Sequence, residues 1–157
     1  TPAGRQCMHE DVLFFRSRDG GVSWEGPAVA TDVTPREPYI SALGDGTMLL
    51  TTHFHGRAHL NVARVVQTHV FRSQDGGHHW IGRQFVPDEY APGIWIHSSR
   101  NVLELADGSA IMGLSGADDA PDLIYRTRDQ GRTWTHQVAV IDDKPDDYPF
   151  PFWACIF

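Results

Sequence analysis

One short pattern occurs three times along the chain and constrains its fold more than any other feature. The copies read SRDGGVSW, SQDGGHHW and TRDQGRTW, and they share the pattern Ser/Thr-x-Asp-x-Gly-x-x-Trp. We call them box 1 (Ser17–Trp24), box 2 (Ser73–Trp80) and box 3 (Thr127–Trp134), and their starts are 56 and 54 residues apart. Self-similarity at one fixed period indicates a repeat architecture.

The residue types in the boxes suit a hairpin whose loop is fastened by its own side chains. A Ser or Thr two residues before an Asp can close a turn, and the Asp carboxylate can accept nearby backbone N–H groups. The glycine supplies a positive φ, and the Trp begins the next strand with a large apolar body that can be buried under the turn. We therefore predict structural roles for Ser17, Asp19, Gly21 and Trp24, for Ser73, Asp75, Gly77 and Trp80, and for Thr127, Asp129, Gly131 and Trp134.

A β-type run precedes each box, and the combination resembles a known family. The runs are DVLFFR, QTHVFR and DLIYR. With their lead-ins, the boxes resemble the Asp boxes, or bacterial neuraminidase repeats, of the sialidase superfamily and related β-propellers. In that family the box joins the third and fourth strands of a blade, on the face away from the active site. The resemblance implies an all-β fold of consecutive four-stranded blades, forming part of a sialidase-like propeller of six blades.

Strand and turn signals divide the chain into units of this kind. Residues 11–31 indicate the second half of a blade, 36–87 and 95–141 two full blades, and 148–157 the start of the next. Because a propeller has roughly 4 to 8 blades, we expect this chain to be a piece of a longer propeller completed by missing chain segments. The alternative is a half-propeller that closes with a second copy of the chain.

Composition narrows the classes of partner. The formal charge of −7 at pH 7 argues against nucleic acid, because phosphate binding needs a basic face. No apolar run reaches the length of a membrane span, and no signal-peptide pattern stands at the start. Cys7 and Cys155 make no disulfide framework, and we interpret them as two free thiols or a single pair. The family resemblance favours a secreted or periplasmic location.

By the same resemblance, the substrate site lies on the face opposite the boxes. Arg36 begins the triplet REP, which matches in its Arg and Pro the Arg-Ile-Pro triplet that opens a sialidase blade and binds the substrate carboxylate. The hairpin that follows resembles one that ends in Asp-Gly-Arg, where the Asp is the general acid/base. Here that place is held by HGR, so His55 is the candidate catalytic residue and Arg57 a candidate binding residue. The alternative for Arg36 is an ion pair on the surface or between blades.

Three further candidates stand near the start of the second full unit. Arg100 opens this unit at the same relative place as Arg36, so we expect the two arginines to converge on one carboxylate. His97 is expected to line the same cleft as His55. Trp95 is the aromatic residue best placed to stack on a sugar ring, with core packing as its alternative.

Two polar clusters have plainer interpretations. The spacing of His53, His55 and His59 permits a metal site, but we expect a solvated His-rich loop and neither metal nor cofactor. The stretch DDAPD at 118–122 falls between a second and a third strand, and we expect a solvated loop there as well.

The resemblance implies a carbohydrate-active protein of the exo-α-sialidase type that acts on terminal acidic sugars. Two alternatives stay open. A polysaccharide lyase on the same propeller would suit His55, and a non-catalytic propeller would bind glycans or proteins without turnover. The Tyr nucleophile and paired Glu of sialidases have no counterpart in these 157 residues, so the chain alone lacks part of that catalytic set.

Overall fold

The regular structure of the described residues consists of β-strands. A computed structural model of the protein describes residues 12–29, 36–55, 66–85, 96–98, 100–116 and 122–141. Among these residues, no helix is long and apolar enough to span a membrane. The strands are β1 (Leu13–Arg16), β2 (Glu25–Val29), β3 (Arg36–Ala42), β4 (Met48–His55), β5 (Val66–Ser73), β6 (Ile81–Phe85), β7 (Ile96–His97), β8 (Leu103–Glu104), β9 (Ala110–Gly116), β10 (Asp122–Thr127) and β11 (Thr135–Ile141).

The strands form three antiparallel sheets whose spatial order follows the chain. Sheet 1 pairs β1 with β2, and sheet 2 has the order β3-β4-β5-β6. Sheet 3 has the order β11-β10-β9-β7, and β8 also pairs with β9, so β7 and β8 share one row. Sheets 2 and 3 therefore each have four rows of strands. The predicted all-β fold is confirmed.

The inner strand β4 of sheet 2 is buried on both of its faces. The neighbouring residues Leu49 and Leu50 are both fully buried, and they belong to different clusters because successive strand residues point to opposite faces. Leu50 packs with Phe14 of sheet 1, whereas Leu49 packs with Met112 of sheet 3. Burying one such side chain contributes about 1.5–3 kcal/mol. The cluster between sheets 2 and 3 contains Leu43, Leu49, Val70, Val102, Ala110, Met112, Leu114, Leu123 and Tyr125.

Each box closes a connection between adjacent strands with the same set of hydrogen bonds. In box 3 the Thr127 hydroxyl donates to Asp129 Oδ1 (2.8 Å) and accepts the Gly131 N–H (2.8 Å). The backbone N–H of Thr133 donates to Asp129 Oδ1 (2.8 Å), and the Thr133 hydroxyl donates to Oδ2 (2.6 Å). Box 1 repeats all four bonds. Box 2 also repeats them, with the ring of His79 in place of the last hydroxyl.

These hydrogen bonds favour the ionised form of the box carboxyls. The hydroxyl and N–H of Ser23, helped by the Ser17 hydroxyl, lower the pKa of Asp19 to about 2. The N–H and ring of His79 lower the pKa of Asp75 well below its ordinary value. Burial raises the pKa of Asp129, but its hydrogen bonds in box 3 outweigh that effect and lower the pKa overall. Such carboxylates fasten the turns and are poorly suited to carry protons near neutral pH.

The box tryptophans are buried to different extents. The prediction that each is buried under its turn is wrong for Trp24, which is 62% exposed. Trp80 packs edge-on against Phe14 of sheet 1, with ring centroids 5.8 Å apart. Trp134 packs on the cluster between sheets 2 and 3. Trp80 thus contacts the preceding sheet, Trp134 packs on the cluster that sheet 3 shares with sheet 2, and no described sheet precedes Trp24.

An arginine directly before a box reaches into the next box. Arg16 Nε donates to the Gly76 carbonyl, and Arg72 Nε donates to the Gln130 carbonyl, both at 2.9 Å. The two acceptors are equivalent, because each follows the Asp of its box. A hydrogen bond from a charged donor is stronger than a neutral one. These repeated bonds help to fix each sheet against the next.

Gly77 tests the packing of sheet 1 against box 2. A Cβ at Gly77 would lie 2.7 Å from Phe14 Cζ, and its φ is +83°, whereas Gly46 has a φ of +85° and no atom within 4 Å. The positive φ costs Ala about 1–2 kcal/mol at either site. The contact adds about 1–3 kcal/mol at Gly77 alone. We expect Gly77→Ala to destabilise the protein more than Gly46→Ala in urea unfolding, and equal losses would contradict this packing.

The lowered pKa of Asp19 predicts a specific loss of stability in acid. A carboxyl whose pKa is lower in the folded state stabilises the fold above its unfolded pKa and loses this effect as pH falls through its folded pKa. For Asp19 this window runs from about pH 4 down to about pH 2. We expect Asp19→Asn to be less stable than the wild type at pH 6 and to lose less stability between pH 4 and pH 2. Thermal unfolding at several pH values measures this, and parallel losses in both proteins would contradict it.

Candidate functional site

The candidate residues that the structure describes lie at the ends of sheets 2 and 3 opposite the boxes. Boxes 2 and 3 begin at the last residues of β5 and β10, so the first residues of these strands lie at the other end. At that end Arg36 of β3 pairs with His53 of β4. In sheet 3, His97 of β7 pairs with Ser115 of β9. We call the region around these four residues the site end.

The structure describes part of the predicted site. Arg36 is the first residue of β3, His55 the last residue of β4, and His97 the last residue of β7. Arg100 follows β7 and is exposed. The side chains of Arg36, His55 and His97 lie outside the described part of the structure, so their roles stay predictions. Seven other residues named from the sequence also lie outside the described part of the structure: Cys7, Arg57, His59, Trp95, Asp118, Asp119 and Cys155.

The strand register corrects the predicted equivalence of the two arginines. Met48 of β4 pairs with the first residue of box 2, and Ala110 of β9 pairs with the first residue of box 3. Five positions further along these two strands are His53 and Ser115. His53 pairs with Arg36, and Ser115 pairs with His97. The residue equivalent to Arg36 is therefore His97. The prediction that Arg100 holds that position is wrong by three residues.

The predicted position of Arg100 is wrong because the first row of sheet 3 contains a bulge. His97 and Leu103 are six positions apart, but their partners Ser115 and Ile111 are only four positions apart. Two extra residues are thus accommodated between β7 and β8, and Arg100 lies in this stretch. Such bulges re-aim side chains and are frequent near active sites.

Sheet 2 has a smaller bulge at the same end. Arg36 and Tyr39 are three positions apart, whereas their partners His53 and Thr51 are two apart. Glu37 adopts a φ of +49° within this bulge, a conformation that L-residues rarely take. Arg36 and Arg100 therefore each stand at an irregular point in the first row of a sheet.

Three buried hydroxyls of sheet 2 hold the bulge of sheet 3. They belong to Ser41 of β3, Thr51 of β4 and Thr68 of β5. No spacing motif in the sequence marks them, and the only available signal is a set of hydroxyl residues within apolar strands. The bonds run from Ser98 N–H to Thr68 Oγ1 (3.0 Å), from the Thr51 hydroxyl to the Arg100 carbonyl (3.1 Å) and from Val102 N–H to Ser41 Oγ (2.8 Å).

Two residues of the polar clusters are buried in strands. His53 lies within β4 and its side chain is buried. Asp122 is the first residue of β10 and is fully buried, so the solvated-loop interpretation is wrong for it. Its place as the first residue of the β-type run DLIYR, at the same distance from box 3 as Thr68 from box 2, is the signal that favours a strand over a loop. Among the described residues, no group of three or more His, Cys, Asp or Glu could hold a metal ion.

The comparisons with known proteins concern the fold. The chain is similar to a solved structure named Hadza microbial sialidase Hz136, with a TM-score of 0.66 and 19% sequence identity. The fold is sialidase-like. The match covers 84% of this chain but only 32% of that sialidase, so the chain spans about a third of its length. No family model and no curated protein matches the sequence. At this identity the likeness shows the sialidase-like fold alone, and the roles of the site residues must be argued from the residues themselves.

Glu37 tests the bulge of sheet 2. An L-residue at this φ is strained by about 1–2 kcal/mol, and a β-branched side chain adds to the strain. We expect Glu37→Val to be less stable than Glu37→Gly. At Ala42, an exposed residue later in the same strand, the order should reverse, because Val suits a regular strand better than Gly. Urea unfolding of the four variants measures both orders, and the same order at both sites would contradict the bulge.

Proposed function

We propose that the site end binds the carboxylate of a terminal acidic sugar and belongs to an exo-α-sialidase-type site. In this proposal Arg36 and Arg100 bind the carboxylate, and His55 serves as general acid/base near neutral pH. The remaining predicted residues, which are Arg57, His97 and Trp95, line the same site.

The observation that best supports this proposal is that β4 connects both arginines. His53 of β4 pairs with Arg36, and Thr51 of β4 donates to the Arg100 carbonyl. Thr51 and His53 are two residues apart, so they share one face of β4 and their Cα atoms are about 7 Å apart. Two guanidinium groups on backbones this close can serve one carboxylate, for which arginine has the matching geometry.

The net charge bears on how the protein would recognise an anionic sugar. The chain carries a net charge of −7, so its overall field does not attract anions. An acidic sugar would therefore be recognised through close contacts rather than long-range steering. Because carboxylate binding needs the arginines but not a nucleophile, binding is the step to test first.

The test compares N-acetylneuraminic acid with its methyl ester, which lacks the charge. We expect the protein to prefer the acid, and Arg36→Ala to weaken acid binding by about 10- to 100-fold, the loss for a hydrogen bond to a charged group. Arg132→Ala is the control, because Arg132 is an exposed residue of box 3 at the opposite end. Calorimetric titration of each variant with both ligands measures the effect.

Either of two results would contradict this proposal. One is a wild-type protein that shows no preference for the acid over the ester. The other is an Arg36→Ala variant that keeps the full preference. Binding of the acid without release of sugar from a sialoside would support the carboxylate site and favour the non-catalytic alternative.

A further inference from the structure

The stretch that contains Arg100 has left the hydrogen-bonding pattern of its own sheet. Pairing with β9 stops after His97 and resumes at Leu103. The described residues between them form no pair with β9, and we call them the Arg100 bulge: Ser98, Arg100, Asn101 and Val102. A backbone group that is buried without a partner costs about 1–3 kcal/mol. The bulge therefore depends on partners from elsewhere.

Sheet 2 supplies those partners from three strands in turn. Ser98 is hydrogen-bonded to a hydroxyl of β5, Arg100 to a hydroxyl of β4 and Val102 to a hydroxyl of β3. The bulge thus crosses three strands of sheet 2 and is held at every second residue. The three hydroxyl residues are Ser41, Thr51 and Thr68, which are 8%, 0% and 1% exposed.

Comparison of the repeats shows that two of these hydroxyls are not part of the common scaffold. The position of Thr68, five residues before a box, is held by Val12 before box 1 and by Asp122 before box 3. Thr51 lies three residues after the start of β4, and the equivalent residue, three after the start of β9, is Gly113. The repeat therefore does not require a hydroxyl at either place. Both hydroxyls occur only in sheet 2, which contacts the Arg100 bulge.

We propose that Ser41, Thr51 and Thr68 are positioning residues that hold Arg100 at the seam between sheets 2 and 3. Thr51 is central, because its bond is to the carbonyl of Arg100 itself. An arginine on a fixed backbone loses less conformational freedom when it binds a carboxylate, so its affinity is higher. The inference rests on the proposed function for its ligand, the carboxylate of an acidic sugar.

The first measurement needs no ligand. Thr68→Val keeps the side-chain shape but removes the acceptor of the Ser98 N–H, whereas the matched control Thr68→Ser keeps the hydroxyl. We expect Thr68→Val to speed hydrogen exchange at the Ser98 amide by about tenfold relative to the Leu50 amide, the loss for one hydrogen bond. Thr68→Ser should leave the exchange near the wild-type rate. Unchanged exchange at Ser98 in Thr68→Val would overturn the proposal.

The second measurement couples the hydroxyl to the arginine. Thr51→Val and Arg100→Ala, singly and together, are titrated with N-acetylneuraminic acid. We expect Thr51→Val to weaken binding by about three- to tenfold, and to have no further effect once Arg100 is replaced. Thr51→Ser should restore most of the affinity. Equal weakening with and without Arg100 would mean that Thr51 acts through general packing, and would overturn the proposal.

The two measurements separate failure of this inference from failure of the proposed function. Faster exchange at Ser98 in a protein that does not bind the acid would support the fastened bulge and contradict the proposed function. Acid binding that Arg100→Ala weakens and Thr51→Val leaves intact would support the proposed function and overturn the positioning role.

Discussion

The burial of β4 on both of its faces is the constraint on which the other contacts depend. Leu49 and Leu50 are neighbours in β4, yet one packs against sheet 3 and the other against sheet 1. A strand of this kind cannot be stable at a surface, because either face would expose fully buried apolar groups to water. Sheet 2 must therefore lie between two other sheets. The arginines before boxes 1 and 2 then fix the neighbouring sheets through hydrogen bonds to equivalent carbonyls.

The two ends of the sheets differ in how closely their residues follow the repeat. At the box end the same hydrogen bonds recur three times, as expected for a scaffold in which each unit stabilises itself and its neighbour. At the site end the equivalent positions differ, with Val12, Thr68 and Asp122 five residues before the three boxes. Repeated residues account for the fold, whereas residues that break the repeat are the candidates for function. The Arg100 bulge lies at the site end. Its described residues do not pair with β9 of sheet 3 and are hydrogen-bonded to sheet 2 instead.

The sequence alone predicted the elements governed by local chemistry. The boxes and the strands around them followed from turn residues and the repeat period, because each box is closed by its own side chains. The all-β class followed from the family resemblance that the boxes carry. The run NVLEL at 101–105 has the composition of a strand, but only Leu103 and Glu104 of that run pair with β9. The short strand β7 was missed, because two paired residues leave no periodic signal. The bulge depends on hydroxyls about 30 to 61 residues away in sequence, so no local pattern could reveal it.

The same reasoning explains the errors at single residues. Trp24 resembles Trp80 and Trp134 in sequence, but its burial depends on a preceding sheet rather than on its own box. Asp122 stands in a polar stretch, yet the pairing of β10 begins early enough to bury it. Tertiary pairing overrode the local polarity there.

The most direct test of the account is a map of where an acidic sugar binds. In amide NMR spectra, addition of N-acetylneuraminic acid should shift the signals of Ser98, Arg100 and His53 at the site end. The methyl ester should leave these signals largely unshifted, because it lacks the charge that the arginines recognise. Shifts concentrated in the boxes, or equal shifts with the acid and the ester, would contradict a carboxylate site at the seam between sheets 2 and 3.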